Sequence, residues 1–231
     1  MKKILLGLSL LMITISASAQ KNKDRQDNAK AKVKHFYYGF SFSNVWTDLR
    51  GLGQPTYFKP SLGAHAIFEY MFTDYIGISA GIGYQQRGAG LKLVNNDYYP
   101  NVNDSTYRMR LRQHSLDFPL ALVLKTPKKW LPGFQFSLLL GAEPNWLFRG
   151  STYMYYAIED FNLTTLYTNR FRRFEAPLYA AIGMDIDAGP HAMLRVHAVT
   201  NQGFVGLYRR PGQTAYTGRT EMYGIRLTFM F

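Results

Sequence analysis

The chain has 231 residues, no cysteine, 17 Tyr and 16 Phe, and 27 Lys and Arg against 15 Asp and Glu, a formal net charge of +12. Without cysteine there is no disulfide framework and no thiolate metal centre. Beyond residue 19 no run of 18 apolar residues occurs, which excludes a spanning helix there but not strands that alternate apolar and polar residues.

Residues 1–19 predict a secretory leader. Lys2 and Lys3 supply the charged start, Ile4 to Ile15 the apolar stretch, and Ala17-Ser18-Ala19 the small-residue cleavage pattern, so the exported chain would begin at Gln20. Residues 20–35 read as a basic periplasmic tail, because six basic residues between Lys21 and Lys34 meet only Asp24 and Asp27, a composition that favours disorder. Residues 36–231 then form one domain. In an exported chain the positive charge points to the phosphates of lipopolysaccharide or to an acidic surface polymer, not to nucleic acid.

From Phe36 onward the dominant signal is a period of two, which places alternate residues on opposite faces of a strand. The expected strands are Phe36 to Trp46, Pro60 to Phe72, Tyr75 to Arg87, Tyr107 to Lys125, Phe134 to Phe148, Phe171 to Asp187, His191 to Asn201, and a last one closing at Phe231. In the last, Tyr223, Ile225, Leu227 and Phe229 share one parity, and Gly224, Arg226 and Thr228 the other. Connections after the even strands are short, such as Thr73-Asp74. Those after the odd strands are long, the longest running from Arg149 to Arg170 with a cluster of tyrosines. Sorting of loop length by parity predicts an all-β, eight-stranded antiparallel transmembrane up-and-down β-barrel with short periplasmic turns and long extracellular loops. Tyr70, Phe72, Tyr75, Tyr84, Tyr107, Trp130, Trp146 and Phe148 fall at strand ends, where interfacial girdles sit. The terminal Phe231 resembles the signal that barrel-assembly machinery reads.

The opposite parity carries Glu69, Arg87, Asp117, Glu143, Glu175, Asp185, Arg195 and Arg226. An eight-stranded barrel is only wide enough for side chains to fill it. These charges are therefore expected to pair inside a sealed interior, with inward glycines making room for the arginines. Arg108, Arg110 and Arg112 break the pattern, since they share the parity of Leu116 and Leu122. Either a bulge near Gln113 or Ser115 turns them inward, or the strand rises out of the membrane and they face lipopolysaccharide phosphates.

His114, Ser115 and Asp117 form the short stretch that invites a hydrolase reading, but neighbours on a strand point to opposite faces, so His114 would not reach Ser115. Neither a metal-ligand spacing nor a phosphate-binding glycine loop occurs, so no cofactor is expected.

Gly81-Ile-Gly-Tyr-Gln-Gln-Arg-Gly88, Leu116-Asp-Phe-Pro-Leu-Ala-Leu-Val-Leu-Lys125, Leu140-Gly-Ala142 and the last strand resemble the PorT-like outer-membrane β-barrel proteins of Bacteroidota. The resemblance spans the exported chain and implies a barrel of OmpA or OmpX size in the outer membrane, with a link to type IX secretion. It carries over no catalytic residue. Taken together, the sequence predicts a small closed barrel with a structural or binding role, without enzymatic activity, as an accessory subunit of an envelope complex. Its expected partners are outer-membrane lipid, lipopolysaccharide, barrel-assembly machinery and other envelope or secretion proteins. A component required for type IX secretion is the alternative, and a lipid A-modifying enzyme the third.

Overall fold

A computed structural model describes residues 36–51, 56–92, 106–127, 133–156, 162–166, 171–189, 192–206 and 218–231. The leader, the basic tail and Trp130 lie outside the described residues, as do the side chains of Tyr107 and Arg108. Thirteen strand segments follow in chain order: β1 (Phe36–Arg50), β2 (Thr56–Tyr57), β3 (Lys59–Met71), β4 (Ile76–Lys92), β5 (Thr106–Asp117), β6 (Leu120–Lys125), β7 (Phe134–Ala142), β8 (Asn145–Tyr156), β9 (Asn162–Leu166), β10 (Phe174–Glu175), β11 (Leu178–Asp187), β12 (Met193–Gln202) and β13 (Arg219–Met230).

These segments build eight antiparallel staves. β1, β3, β4, β12 and β13 are single staves, and β5 with β6, β7 with β8, and β10 with β11 make one each. Each stave pairs with the next. β1 then pairs with β13 from Gly39↔Met230 to Arg50↔Arg219, which closes the circle of eight staves. Short β2 and β9 lie in long loops, on β4 and β8. The short turns and long loops therefore lie at opposite ends. Gly133 opens β7 with φ 83°, the left-handed region glycine adopts without strain.

Alternation is strict on the walls. In β3, Ser61, Gly63, His65, Ile67, Glu69 and Met71 are buried in the lumen while Leu62, Ala64, Phe68 and Tyr70 stand outside. Large apolar side chains are exposed all round, up to 63% for Ile182 and 62% for Leu62, which suits hydrocarbon and not water. Phe36, Tyr70, Phe72 and Tyr75 ring the short-turn end, and Tyr84, Trp146, Phe148 and Tyr223 the long-loop end.

Three interruptions lie side by side, at Pro119, Pro144 and Pro177, where the fourth, fifth and sixth staves split. Proline has no N–H for the ladder. The adjoining backbone still bonds across: Gly81 N–H donates to Pro119 O (2.9 Å), Phe118 N–H to Pro144 O (2.7 Å) and Glu143 N–H to Pro177 O (3.0 Å).

β1, β4 and β8 run past the expected ends at Trp46, Arg87 and Phe148. The extensions stay in the sheet above the apolar belt, that of β1 on β13, that of β4 on β5 and β2, and that of β8 on β5 and β9; there the outward face no longer has to be hydrophobic, so the alternation that marks a membrane strand stops before the strand does. Inside, Leu49, Ala89, Leu91, Leu111, Leu147 and Phe171 form a small apolar core at this end. The expected bulge lies on the neighbouring strand. His114 faces Arg149 while Ser115 faces Leu147, so Phe148 is the extra residue and both Phe148 and Arg149 turn outward. β5 keeps its parity, with Gln113, Ser115 and Asp117 inside.

Candidate functional site: the charged lumen and the basic outer rim

All eight charged residues assigned to the interior are buried, at most 3% exposed. They divide into two clusters. Towards the short turns, Arg195 lies between two carboxylates. Its Nε and Nη2 donate to Asp185 at 2.7 and 2.8 Å, and its Nη1 and Nη2 donate to Glu69 at 2.7 and 3.2 Å. Lys125 completes the square, with Nζ 2.7 Å from Glu69 and 3.1 Å from Asp185. Lys125, the last residue of the expected fourth strand, is not among the charges that the sequence assigns to the interior. Its parity with Asp117, Ala121 and Val123 was the signal that it points inward. Ser137 hydroxyl donates to Asp185 at 2.7 Å and lies 2.7 Å from His197 Nε2.

The second cluster sits beside the proline breaks. Asp117, Glu143 and Glu175 stand just before Pro119, Pro144 and Pro177 on three adjoining staves. Arg87 reaches Asp117 (2.7 Å), Glu143 (3.2 Å) and Glu175 (3.8 Å). Arg226 bonds Glu143 (3.1 Å) and the Tyr179 hydroxyl (3.2 Å), and its guanidinium lies 5.1 Å from the Tyr179 ring centre. Thr220 donates to Glu175 (2.9 Å). Between the clusters a cavity sized for about one water is lined by Tyr179, Arg195, His197 and Arg226 among others.

The expectation that glycines make room for arginines is corrected. A Cβ on Gly83 would meet the His65 ring, one on Gly183 the His197 ring, and one on Gly63 the Gln85 and Ser43 side chains. Arginine is long enough to span the lumen from a full-sized neighbour, whereas an imidazole packs directly on the facing stave and needs a bare backbone there.

His65, Asp117 and Glu143 could together hold a cation, since their ligand atoms lie within 4.8 Å of one another and neither His65 nitrogen has a hydrogen-bond partner among the described residues. Arg87 and Arg226 already occupy those carboxylates, and a metal would have to displace or share them. The hydrolase stretch comes apart in space. Ser115 hydroxyl donates to Asp117 (2.6 Å) inside the lumen, while His114 is outside with Nδ1 2.6 Å from the Tyr84 hydroxyl.

Arg110 and Arg112 lie on the outer face of β5, Arg110 exposed and Arg112 half-buried; the Arg108 side chain lies outside the described residues. The Arg112 guanidinium lies 5.2 Å from the Tyr153 ring centre. Phe231 is exposed to the lipid side, its N–H donating to Tyr38 O (2.8 Å) and its ring 6.2 Å from that of Tyr38.

The family model for the outer membrane protein beta-barrel domain matches residues 18–207. The chain belongs to this family. It is an outer-membrane β-barrel. Comparison with curated proteins found no match. Among solved structures, it is similar to OprG from Pseudomonas aeruginosa at 15% identity and TM-score 0.47, over 87% of this chain and 97% of that one. Similarity to Ail, the attachment invasion locus protein of Yersinia pestis, is at 10% identity and TM-score 0.42, over 86% and 100%. The outer membrane protease OmpT of Escherichia coli is similar at 12% identity and TM-score 0.44, over 89% and 99%.

Proposed function

We propose that this barrel is a closed element with a structural or binding role, an accessory subunit of an envelope complex, and neither a diffusion channel nor an enzyme. The observation that carries this is the filled lumen. Two ion-paired clusters and the apolar plug of Leu49, Leu91, Leu111 and Phe171 occupy the space through which a solute would pass. A barrel of this strand number has no width to spare once its side chains interlock. Function then falls to the outer wall and the long loops. On this reading residues 1–19 direct export, cleavage follows Ala19, residues 20–35 are a periplasmic tail, and Phe231 is read during assembly. Single-channel recording in planar bilayers tests the reading, with no conductance expected at neutral pH. Stable conductance steps would overturn it.

A role in type IX secretion is the second reading. It is supported by the resemblance of Leu116 to Lys125 to the PorT-like strand, which supplies Asp117, Pro119 and Lys125 to the lumen. Deletion followed by analysis of the culture supernatant separates the two: loss of exported proteins favours secretion, and an unchanged supernatant removes it.

A further inference from the structure

The outer wall carries a cationic patch where β3, β4, β5 and β8 leave the apolar belt. Arg112 stands opposite Gly88, which has no side chain to cover it. His114 follows on the same face, and Arg149, paired with His114, is turned outward by the Phe148 bulge. Among the described residues, the charges that bear on Lys59 are Arg112 and Arg110, and those on His114 are Arg112, Arg149 and Lys59. Every one is positive. Lys59 Nζ and Arg112 Nε are buried and have no hydrogen-bond partner among the described residues. Among the described residues at this end, Glu221 is engaged with Arg50 at 2.6 Å and Asp48 with Thr56 at 2.9 Å.

Clustered like charges with buried, unpaired nitrogens repel one another and call for an anion. The His114 ring marks the lower edge of the patch, where it meets the apolar wall in ring contact with Tyr84 and Phe148 at 5.9 to 6.3 Å. An anion that meets this place has its charge at headgroup level and its body in hydrocarbon. The patch lies at the long-loop end, so the leaflet is the outer one. We propose that Lys59, Arg112, His114 and Arg149, with Arg110 at the upper edge, bind a phosphate group of lipopolysaccharide, whose acyl chains lie along Tyr84 and Phe148. Guanidinium groups match phosphate in geometry, and the Tyr153 ring holds that of Arg112 in place. This rests on the binding role proposed above and names its ligand.

The test uses the full chain, purified from outer membranes in mild detergent and stripped of lipid, and follows binding by native mass spectrometry. The probes are bisphosphoryl lipid A, phosphatase-treated lipid A and phosphatidylglycerol. Wild type is expected to bind bisphosphoryl lipid A at least about tenfold more tightly than the other two, as one or two charge-assisted hydrogen bonds would give. Arg112→Gln/Arg149→Gln is expected to abolish that preference, and Arg219→Gln, on a distant stave, to keep it. Lys59→Gln, away from the bulge, keeps the test decisive should the double variant fail to assemble. Equal binding of the three probes, or a preference unchanged in the variants, would overturn the site. So would a co-purifying acidic protein released by the same variants, although the binding role itself would then stand. Conductance in the bilayer experiment would remove the binding role while leaving the lipid result intact.

Discussion

Arg195→Met is the sharpest probe of the lumen. Methionine nearly matches the volume of arginine but removes its charge and all four hydrogen bonds to Glu69 and Asp185, which range from 2.7 to 3.2 Å. Four charge-assisted bonds at roughly 1.5 kcal/mol each would sum to about 6 kcal/mol. The loss is smaller because Lys125 stays within 2.7 Å of Glu69 and 3.1 Å of Asp185 and retains part of the field. Removing one partner from a buried pair costs about 3–5 kcal/mol, and about 4 kcal/mol is the expected value here. Arg195→Met/Asp185→Asn then leaves one cation and one carboxylate, Lys125 and Glu69, and is expected to recover about 2 kcal/mol. Reversible urea unfolding in lipid vesicles, followed by tryptophan fluorescence and by heat-modifiable migration on gels, measures both values. A loss below about 1 kcal/mol for the single variant, or a double variant less stable than the single one, would refute the claim that charge matching holds this end of the barrel.

The other cluster has three carboxylates, Asp117, Glu143 and Glu175, against Arg87 and Arg226, so it carries one acid in excess. Glu175→Gln, at the longest of these contacts, is therefore expected to change stability by less than about 1 kcal/mol or to raise it, while Glu143→Gln, which both arginines share, lowers it by about 3 kcal/mol or more; the same urea titration ranks the two. Ile182→Arg places a charge in the middle of the lipid-facing wall and is expected to cost about 2–4 kcal/mol by vesicle unfolding, a cost that falls towards zero for a substitution at the girdle. Phe231→Ala is expected to lower the amount of barrel in the outer-membrane fraction severalfold, measured by immunoblot. Equilibrium stability should change by less than about 1 kcal/mol, because the backbone pairing with Tyr38 is kept.

Much of this barrel was legible in the chain because a membrane strand has to alternate. Phe229, Leu227 and Ile225 must face lipid, which obliges Thr228, Arg226 and Gly224 to face the lumen, and a period of two needs no tertiary information to be read. The buried charges of the spanning strands carry that same parity. The strand ends were not legible, because above the belt the outer faces of β1, β4 and β8 no longer have to be apolar.

What the sequence by itself determined is which face each residue of a spanning strand takes, together with the strand number and the end that bears the long loops. Which charges meet was decided by register. Arg195 lies opposite Asp185, but it reaches Glu69 only because the sheet closes on itself. The three prolines fall at one level only after three staves are aligned, and Lys125, at the very end of its strand, becomes a lumenal cation only once β6 is seated between β4 and β7. The Phe148 bulge, which brings Arg149 out beside His114, follows from a mismatch between two strands more than 30 residues apart in sequence. Parity is local and survives in one dimension. Pairing across the lumen depends on stagger and closure, quantities that exist only when all eight staves are in place.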